Sequence, residues 1–153
     1  MSIKQNTYHI IPKIGNFQLF PGLCLKSFRE EEFFEDDAFW NINEMETTRI
    51  LEYLNQRFEE EVSWSTEMKI YGKLDHDCIK IILDTNKIVS MSFRIDFTSN
   101  FDLFLQHILN FCDSFQLLIV DFDLNILELD FFQVKENITN SQNFKNYRKL
   151  SDL

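Results

Sequence analysis

Hydrophobic residues recur at helical spacing in the middle of the chain. Within residues 44–60, apolar side chains that include Ile50 and Leu54 return every three or four positions, as on one face of an amphipathic helix. Asn43 directly before this stretch and Glu46 three residues later have the spacing of a capping box at a helix start. The sequence therefore predicts a helix over residues 44–60.

Three later stretches show the two-residue alternation of β-strands. Apolar and polar residues alternate over 68–71, 79–83 and 91–97, and residues 84–87 have the composition of a turn. This alternation is typical of an antiparallel sheet with one face against a core and the other face toward solvent. We therefore predict a three-stranded meander in this part of the chain.

The last strand of the predicted meander has the most regular alternation in the sequence. Successive side chains of a strand point to opposite faces of a sheet. We therefore expect Phe93 and Ile95 to be buried, and Arg94 and Asp96 to be at least partly exposed on the other face.

The second half of the chain predicts further helices and one buried strand. Residues 99–102 again have capping-box spacing, and an apolar stripe that continues to Cys112 predicts a helix. The apolar run 117–120 predicts a buried strand. Beyond it the pattern weakens: residues 129–138 are predicted as a short helix, residues 140–146 as a loop, and the last residues as a turn of helix.

The N-terminal residues predict one or two strands before the first helix. Pro12 favours extended backbone before it, and Pro21-Gly22 is a turn signal between residues 16–20 and a return strand over residues 23–28. Apolar faces of the helices and of the meander need mutual cover. The sequence therefore predicts an α+β fold: a two-layer sandwich of a mainly antiparallel sheet with helices packed on one face.

Length and composition fit one soluble domain. The 153 residues are 44% hydrophobic and 26% charged, which predicts a single domain over 1–153. The longest apolar run, residues 117–120, is far too short to span a bilayer, and the N-terminus lacks the pattern of a signal peptide. Three cysteines at wide spacings, Cys24, Cys78 and Cys112, fit reduced thiols. We therefore expect a cytoplasmic protein without a cofactor.

Acidic residues are concentrated in one part of the chain. Residues 30–61 contain twelve acidic residues and two arginines, so the formal charge of −10 of the whole protein is located there, interleaved with aromatic residues. Acids steer a basic partner and aromatic side chains anchor it. In the alternative interpretation, the segment is a solvated face whose rings point into the core. The predicted partner-binding residues, most of them in an acidic connector over residues 29–43, are Glu31, Glu32, Phe33, Phe34, Asp36, Asp37, Phe39, Trp40, Glu59 and Glu60.

Two aspartates after the predicted buried strand offer a possible catalytic motif. Asp121 and Asp123 resemble the first motif of haloacid-dehalogenase phosphatases, but too few residues follow Asp121 to build the large parallel sheet of that fold. With Asn125 they also match the first half of a calcium loop. In that loop Ile126 stands where glycine is required, and Phe132 where the bidentate glutamate belongs. The sequence therefore supports neither site.

Metal ligands and catalytic groups are otherwise sparse. Asp75, His76, Asp77 and Cys78 are adjacent, and adjacent side chains rarely converge on one ion. No paired-cysteine or paired-histidine spacing supplies further ligands, and three glycines are too few for a phosphate-binding loop. We therefore predict neither a catalytic nor a metal site, and the protein is expected not to be an enzyme.

Several stretches together resemble the small bacterial immunity-type proteins of polymorphic toxin systems. They are the run from Trp64 to Gly72, the strand at 93–96, the Phe- and Leu-rich helix and the strand after it. The resemblance implies a non-enzymatic protein that blocks a toxin by binding, and it carries over no catalytic residues. Immunity proteins of nuclease toxins are often acidic because they cover a basic cleft, which agrees with this charge distribution.

The sequence leads to two functional hypotheses. In the first, the protein is a cytoplasmic inhibitor that docks an acidic and aromatic surface on a basic protein partner such as a toxin, without binding nucleic acid or a membrane. In the second, it is a small-molecule-binding or regulatory domain that uses a cleft between helices and sheet. A neighbouring toxin gene would favour the first hypothesis, and a deep polar cleft would favour the second.

Overall fold

A computed structural model describes residues 4–13, 18–30, 33–73 and 75–152. The strands and helices that these residues form alternate irregularly along the chain. They are β1 (Gln5–Pro12), β2 (Arg29–Glu30), β3 (Phe33–Phe34), α1 (Glu44–Arg57), β4 (Glu60–Glu61), β5 (Met68–Gly72), β6 (Cys78–Asp84), β7 (Lys87–Asp96), α2 (Asp102–Phe115), β8 (Leu117–Val120), β9 (Ile126–Leu127), α3 (Phe131–Thr139) and α4 (Gln142–Ser151).

Seven strands form one antiparallel sheet in the order β4-β5-β6-β7-β1-β8-β9. The predicted meander is confirmed as β5, β6 and β7, with Tyr71 opposite Ile79 and Ile79 opposite Phe93. The strand β1 lies between β7 and β8, so that Tyr8 is opposite Phe93 and Ile10 is opposite Ile119. A separate two-stranded ribbon is formed by β2 and β3.

All four helices contribute to the layer that covers one face of the sheet. Their apolar side chains, such as Leu54, Leu105 and Val134, form one core with the inward side chains of the strands, such as Tyr8 and Phe93. Burial of these side chains is the main force that holds the two layers together. The predicted α+β fold, with helices packed on one face of a mainly antiparallel sheet, is confirmed.

A smaller core lies on the opposite face of the sheet. There Ile11, Leu118 and Val120 are covered by Leu25 and Phe39 from the segment between β1 and α1. As a result β8 is buried on both faces, which explains why every residue of the run 117–120 is apolar. The outer face of the meander, beyond this cover, keeps a polar surface that includes exposed Lys80.

Several predicted boundaries are confirmed by local hydrogen bonds. The helix α1 begins at Glu44, where Asn43 Oδ1 accepts a hydrogen bond from the Glu46 amide at 2.8 Å. It ends at Arg57 rather than at residue 60, because the backbone at Phe58 is extended. The capping box predicted over residues 99–102 does not form, and the helix α2 begins after Phe101 without a side-chain cap.

Two sequence predictions of local structure are wrong. Residues 23–28 do not form a return strand: Cys24 makes an isolated bridge with Asn125, and Lys26–Phe28 form a 3-10 turn. Residues 142–146 of the loop predicted over 140–146 are helical, because Ser141 Oγ accepts a hydrogen bond from the Phe144 amide and caps α4. Part of the strand predicted over 16–20 lies outside the described residues.

The side chains of β7 alternate between the two faces of the sheet as predicted, but one of them is buried where exposure was expected. Phe93 and Ile95 are buried and Arg94 is partly exposed, as expected. Asp96 is buried instead of exposed. The turn after β5 covers it, since the Asp96 amide donates to Asp77 Oδ1 at 2.7 Å. The carboxylate is also satisfied locally, because the Thr98 hydroxyl donates to Asp96 Oδ1 at 2.6 Å.

None of the helices formed by the described residues has the length and apolarity that crossing a bilayer requires.

Candidate functional site

Two aromatic side chains of the acidic connector belong to the protein interior. Phe39 and Trp40 are only 4% and 6% exposed. Trp40 Nε1 donates a hydrogen bond to the carbonyl oxygen of Ile10 at 3.2 Å, and the Phe39 ring packs edge-on against Phe28. These two predicted partner-binding residues therefore stabilise the fold, and their rings are not displayed to a partner.

The acidic connector crosses the outer face of the sheet. Asp36 is buried there, and its Oδ2 atom accepts a hydrogen bond from Ser90 Oγ at 2.7 Å. Burial raises the pKa of this carboxyl above its ordinary value, although the Ser90 hydrogen bond opposes the shift. Phe34 is half-buried and packs edge-on against His9, with 5.0 Å between the ring centroids. Asp36 and Phe34 are therefore engaged within their own chain.

The remaining predicted residues of the connector differ in environment. Phe33 is 76% exposed and Asp37 is also exposed. Glu31 and Glu32 lie outside the described residues. The connector consequently offers one exposed ring and one exposed carboxylate among its described predicted residues, which is a poorer surface than the sequence suggested.

Burial of His9 beneath the connector disfavours its charged form, although Asp36 Oδ2 lies 3.9 Å from His9 Nδ1. Burial first, and then the positive charges of Arg29 and Lys80, lower the pKa of His9 from its ordinary value of 6.5. The unfolded chain therefore binds a proton at His9 at a higher pH than the folded protein does. The contribution of neutral His9 to stability is present above the unfolded pKa and is lost as the pH falls below it.

This linkage gives a pH-dependent prediction. The free energy of unfolding of the wild-type protein should fall more between about pH 7.5 and about pH 5.5 than that of a His9→Gln variant. Urea denaturation at a series of pH values measures how the free energy of unfolding of each protein depends on pH. The variant is the reference for the wild-type protein, because both contain all the other titrating groups. Parallel slopes for the two proteins would show that His9 titrates normally in the fold.

Glu59 and Glu60 lie at the other end of the sheet, where Glu60 begins the edge strand β4 and Glu59 directly precedes it. Glu60 is opposite Tyr71, and the carbonyl oxygen of Glu59 accepts a hydrogen bond from the Gly72 amide at 2.8 Å. Two strands separate β4 from β7, on which Asp36 rests. The distance across three strand spacings is about 14 Å. The predicted residues therefore do not form one continuous surface.

The chain that follows β4 displays two large apolar side chains to solvent. Val62 is 95% exposed and Trp64 is 90% exposed. Side-chain hydrogen bonds order this loop, because Ser63 Oγ accepts from the Ser65 amide and Ser65 Oγ accepts from the Glu67 amide, both at 3.2 Å. A groove of about 430 Å³ lies between the loop and β5. Trp64 is thus held in a structured turn beside a concave surface.

Glutamates surround these apolar side chains. Glu59, Glu60, Glu61 and Glu67 are all exposed. Lys69 Nζ lies 3.1 Å from Glu60 Oε1, and an exposed ion pair of this kind contributes little to stability. We refer to the surface formed by Glu59, Glu60, Glu61, Val62 and Trp64 as the edge site.

The two edges of the sheet differ in how their backbone groups are satisfied. The outer side of β9 is covered by its own chain, since the Gly22 amide donates to the Ile126 carbonyl and the Ile126 amide donates to the Leu23 carbonyl, both at 2.9 Å. Among the described residues, no strand lies beyond β4. The edge site therefore includes an open strand edge, which the sequence did not reveal because β4 has only two residues.

Several of the side chains considered as metal ligands or catalytic groups have structural partners. His76 Nδ1 lies 3.3 Å from Asp96 Oδ2, and Asp77 holds the Asp96 amide, so this cluster fixes a turn. Asp121 Oδ1 accepts a hydrogen bond from the Asn125 amide at 2.8 Å and closes the turn between β8 and β9. Across the described ranges, no three His, Cys, Asp or Glu side chains are grouped closely enough to hold a metal ion.

Comparison of the chain with protein-family models, with curated proteins and with solved structures gives no match.

Proposed function

We propose that the protein is a non-enzymatic binding protein whose edge site docks on an extended segment of a basic protein partner. The observation that carries this proposal is the exposure of Trp64, at 90%, beside an open strand edge. An open edge can accept a further strand, whose main-chain hydrogen bonds provide affinity while side-chain contacts provide specificity. The edge site combines both elements in one place.

Trp64 and Val62 supply the apolar part of the proposed interface. Solvent-exposed edges in monomeric proteins are usually guarded by charge and short length, and the two glutamates of β4 agree with that pattern. An exposed tryptophan next to such an edge favours association instead of preventing it, because it adds a large apolar surface that water solvates poorly. Tryptophan is also among the residues most enriched at interface hot spots. Partner binding accounts for its position.

Charge defines the class of partner. The three consecutive glutamates of the edge site attract a partner rich in lysine or arginine, and the formal charge of −10, which is located in residues 30–61, adds to that attraction. The resemblance to immunity-type proteins supports a toxin as this partner, with the complex formed in the cytoplasm and the toxin inhibited by occlusion. Glu59 and Glu60 keep their predicted role, and Trp64 takes the anchoring role expected of Phe39 and Trp40.

Variants of the edge site should separate the two parts of the interface in a kinetic experiment. Trp64→Ala should weaken the complex by about 2 kcal/mol or more, mainly through faster dissociation, because a buried anchor acts after encounter. Replacing Glu59, Glu60 and Glu61 by glutamine should instead slow association and reduce its salt dependence. The partner is captured on the wild-type protein from a native lysate and identified by mass spectrometry. Surface plasmon resonance at low and high salt then measures both rates.

Matched controls distinguish the edge site from general effects of charge and hydrophobicity. Phe132→Ala removes another large, exposed aromatic ring elsewhere, and Glu52→Gln, Asp113→Asn and Glu128→Gln together remove three charges away from β4. Phe132→Ala should leave the dissociation rate unchanged, and the charge control should slow association less than the edge-site charge variant does. A complex that is insensitive to Trp64→Ala, or that responds equally to both charge variants, would contradict the proposal.

Hydrogen exchange tests the mode of docking. Strand addition should slow amide exchange at residues 60–62 in the complex, because the open backbone groups of β4 gain partners. Unchanged exchange at these residues in a complex that needs Trp64 would show that the partner contacts side chains only.

A further inference from the structure

A polar cleft lies far from the edge site, at the β8–β9 end of the sheet. Its volume is about 860 Å³, and it is formed by the turn after β8, the helix α3 and the start of the helix α4. This volume is within the range of small-molecule sites. Most of its lining side chains are amides, from Asn6, Gln133, Asn137, Asn140, Gln142 and Asn143.

A directed chain of hydrogen bonds fixes the floor of the cleft. Asn143 Nδ2 donates to Asn6 Oδ1 at 3.4 Å, and Asn6 Nδ2 donates to the Tyr8 hydroxyl at 3.1 Å. The Tyr8 hydroxyl donates to Asn137 Oδ1 at 2.9 Å, and Asn137 Nδ2 donates to Asp121 Oδ2 at 3.1 Å. The chain therefore links α4, β1, α3 and the turn after β8.

This network holds the polar groups in one orientation. Burial of Tyr8 raises the pKa of its hydroxyl, so that the hydroxyl remains a donor to Asn137. Because each amide in the chain donates in the same direction, none can flip without breaking a hydrogen bond of its neighbour. A ligand would therefore meet preorganised donors and acceptors, which lowers the entropy that binding costs.

The charge of the cleft excludes an anionic ligand. Three carboxylates, from Asp121, Asp123 and Glu136, line it, and none of the described residues that line it is a lysine, an arginine or a histidine. A phosphate or carboxylate group would be repelled without a compensating partner. Amides donate and accept, and carboxylates accept, so together they match hydroxyl groups, which do both.

An aromatic ring at the rim completes the site. The Phe122 ring lines the cleft and is 59% exposed. The Arg29 guanidinium lies 5.7 Å from the centroid of this ring, and Arg29 Nη2 donates to the Phe122 carbonyl oxygen at 2.8 Å. The positive charge of Arg29 disfavours a second cation on the ring, whereas the apolar face of a sugar can pack against it.

We propose that this cleft binds a neutral polyhydroxylated ligand, such as a monosaccharide or disaccharide. The amides and carboxylates bind the hydroxyl groups, and Phe122 packs against the carbon–hydrogen face of the sugar ring. The site is independent of the edge site, because it shares no residue with it and lies at the opposite end of the sheet. The failure of either proposal leaves the other intact.

Nuclear magnetic resonance with isotope-labelled protein tests the proposal directly. The probes are D-glucose, N-acetyl-D-glucosamine, maltose, cellobiose and myo-inositol, each added to about 50 mM so that millimolar affinities are detected. At least one probe should shift the side-chain amide signals of Asn137 and Asn143 in a saturable way. When that probe is a monosaccharide, its phosphorylated form should bind more weakly, because the three carboxylates that line the cleft repel a phosphate group.

Two phenylalanine variants provide a matched pair. Phe122→Ala should weaken binding about three- to tenfold, which is the expected loss for one aromatic contact. Phe132→Ala removes a ring that is 78% exposed on the neighbouring helix and outside the cleft, so it should leave binding unchanged. Both rings are exposed, and the amide spectrum confirms that each variant is folded. The proposal is overturned if no probe shifts these signals, if spermidine shifts them when the sugars do not, or if the two variants behave alike.

Discussion

The free energy of unfolding should fall by about 3–5 kcal/mol when Phe93 is replaced by alanine, the range measured for large deletions in cores. Phe93 is buried in the middle of the sheet, where its ring stacks on Tyr8 with 5.2 Å between the centroids. It also lies opposite Ile79 in the neighbouring strand. The variant therefore removes contacts from both sides of the ring and leaves a cavity between strands and helices.

Urea denaturation measures this loss, with Phe132→Ala as the control for deletion of an exposed ring. The control should change stability by less than about 0.5 kcal/mol. A denaturation midpoint that Phe93→Ala leaves unmoved would show that this register of β7 is not the one that the protein adopts.

The second large effect is expected at Gly72, where β5 enters the turn to β6. Its φ angle is +97°, and a Cβ atom would lie 2.5 Å from the backbone oxygen of Asp77. Alanine therefore combines an unfavourable backbone conformation with a steric clash against backbone, and we expect Gly72→Ala to cost about 2–5 kcal/mol. The alanine side chain would displace the turn that contains Asp77, whose Oδ1 atom accepts a hydrogen bond from the Asp96 amide.

Gly22 provides the matched control for this variant. Its φ angle is +88°, and nothing lies within 4 Å of the position that a Cβ atom would take. Gly22→Ala should therefore cost only the backbone term, about 1–2 kcal/mol. Thermal or urea denaturation compares the two variants, and equal losses would show that the clash at Gly72 is relieved by movement of the turn.

The sequence was sufficient to predict elements whose signal is local. The alternation of the meander strands and the capping residues around Asn43 depend on near neighbours, and both predictions are confirmed. The predicted α+β layers followed from the need of those apolar faces for cover. Two predictions failed where a distant segment decides the outcome, at Cys24, which meets Asn125, and at Asp96, which the turn with Asp77 covers. The capping box at residues 99–102 and the loop at residues 140–146 failed although their signals are local.

The two tryptophans show why the candidate site was harder to predict than the fold. Trp40 and Trp64 both occur among acidic and aromatic residues, yet one is buried against the carbonyl of Ile10 and the other is exposed. Local composition is the same for a ring that fills a core and for one that faces solvent. The order of strands in the sheet distinguishes the environments of the two tryptophans, because it places β4 at an edge and the acidic connector over β1 and β7.

The central position of β1 has a consequence for the order in which the fold can be completed. Its neighbours β7 and β8 are encoded in the second half of the chain, although β1 is the first of these strands to be synthesised. Its apolar residues Tyr8, Ile10 and Ile11 must therefore remain without their partners until residues 87–120 have left the ribosome. Pairings between such distant segments close large loops and are slow to form. Translation of most of the chain thus precedes completion of the sheet, and the apolar side chains of β1 need other cover during that interval.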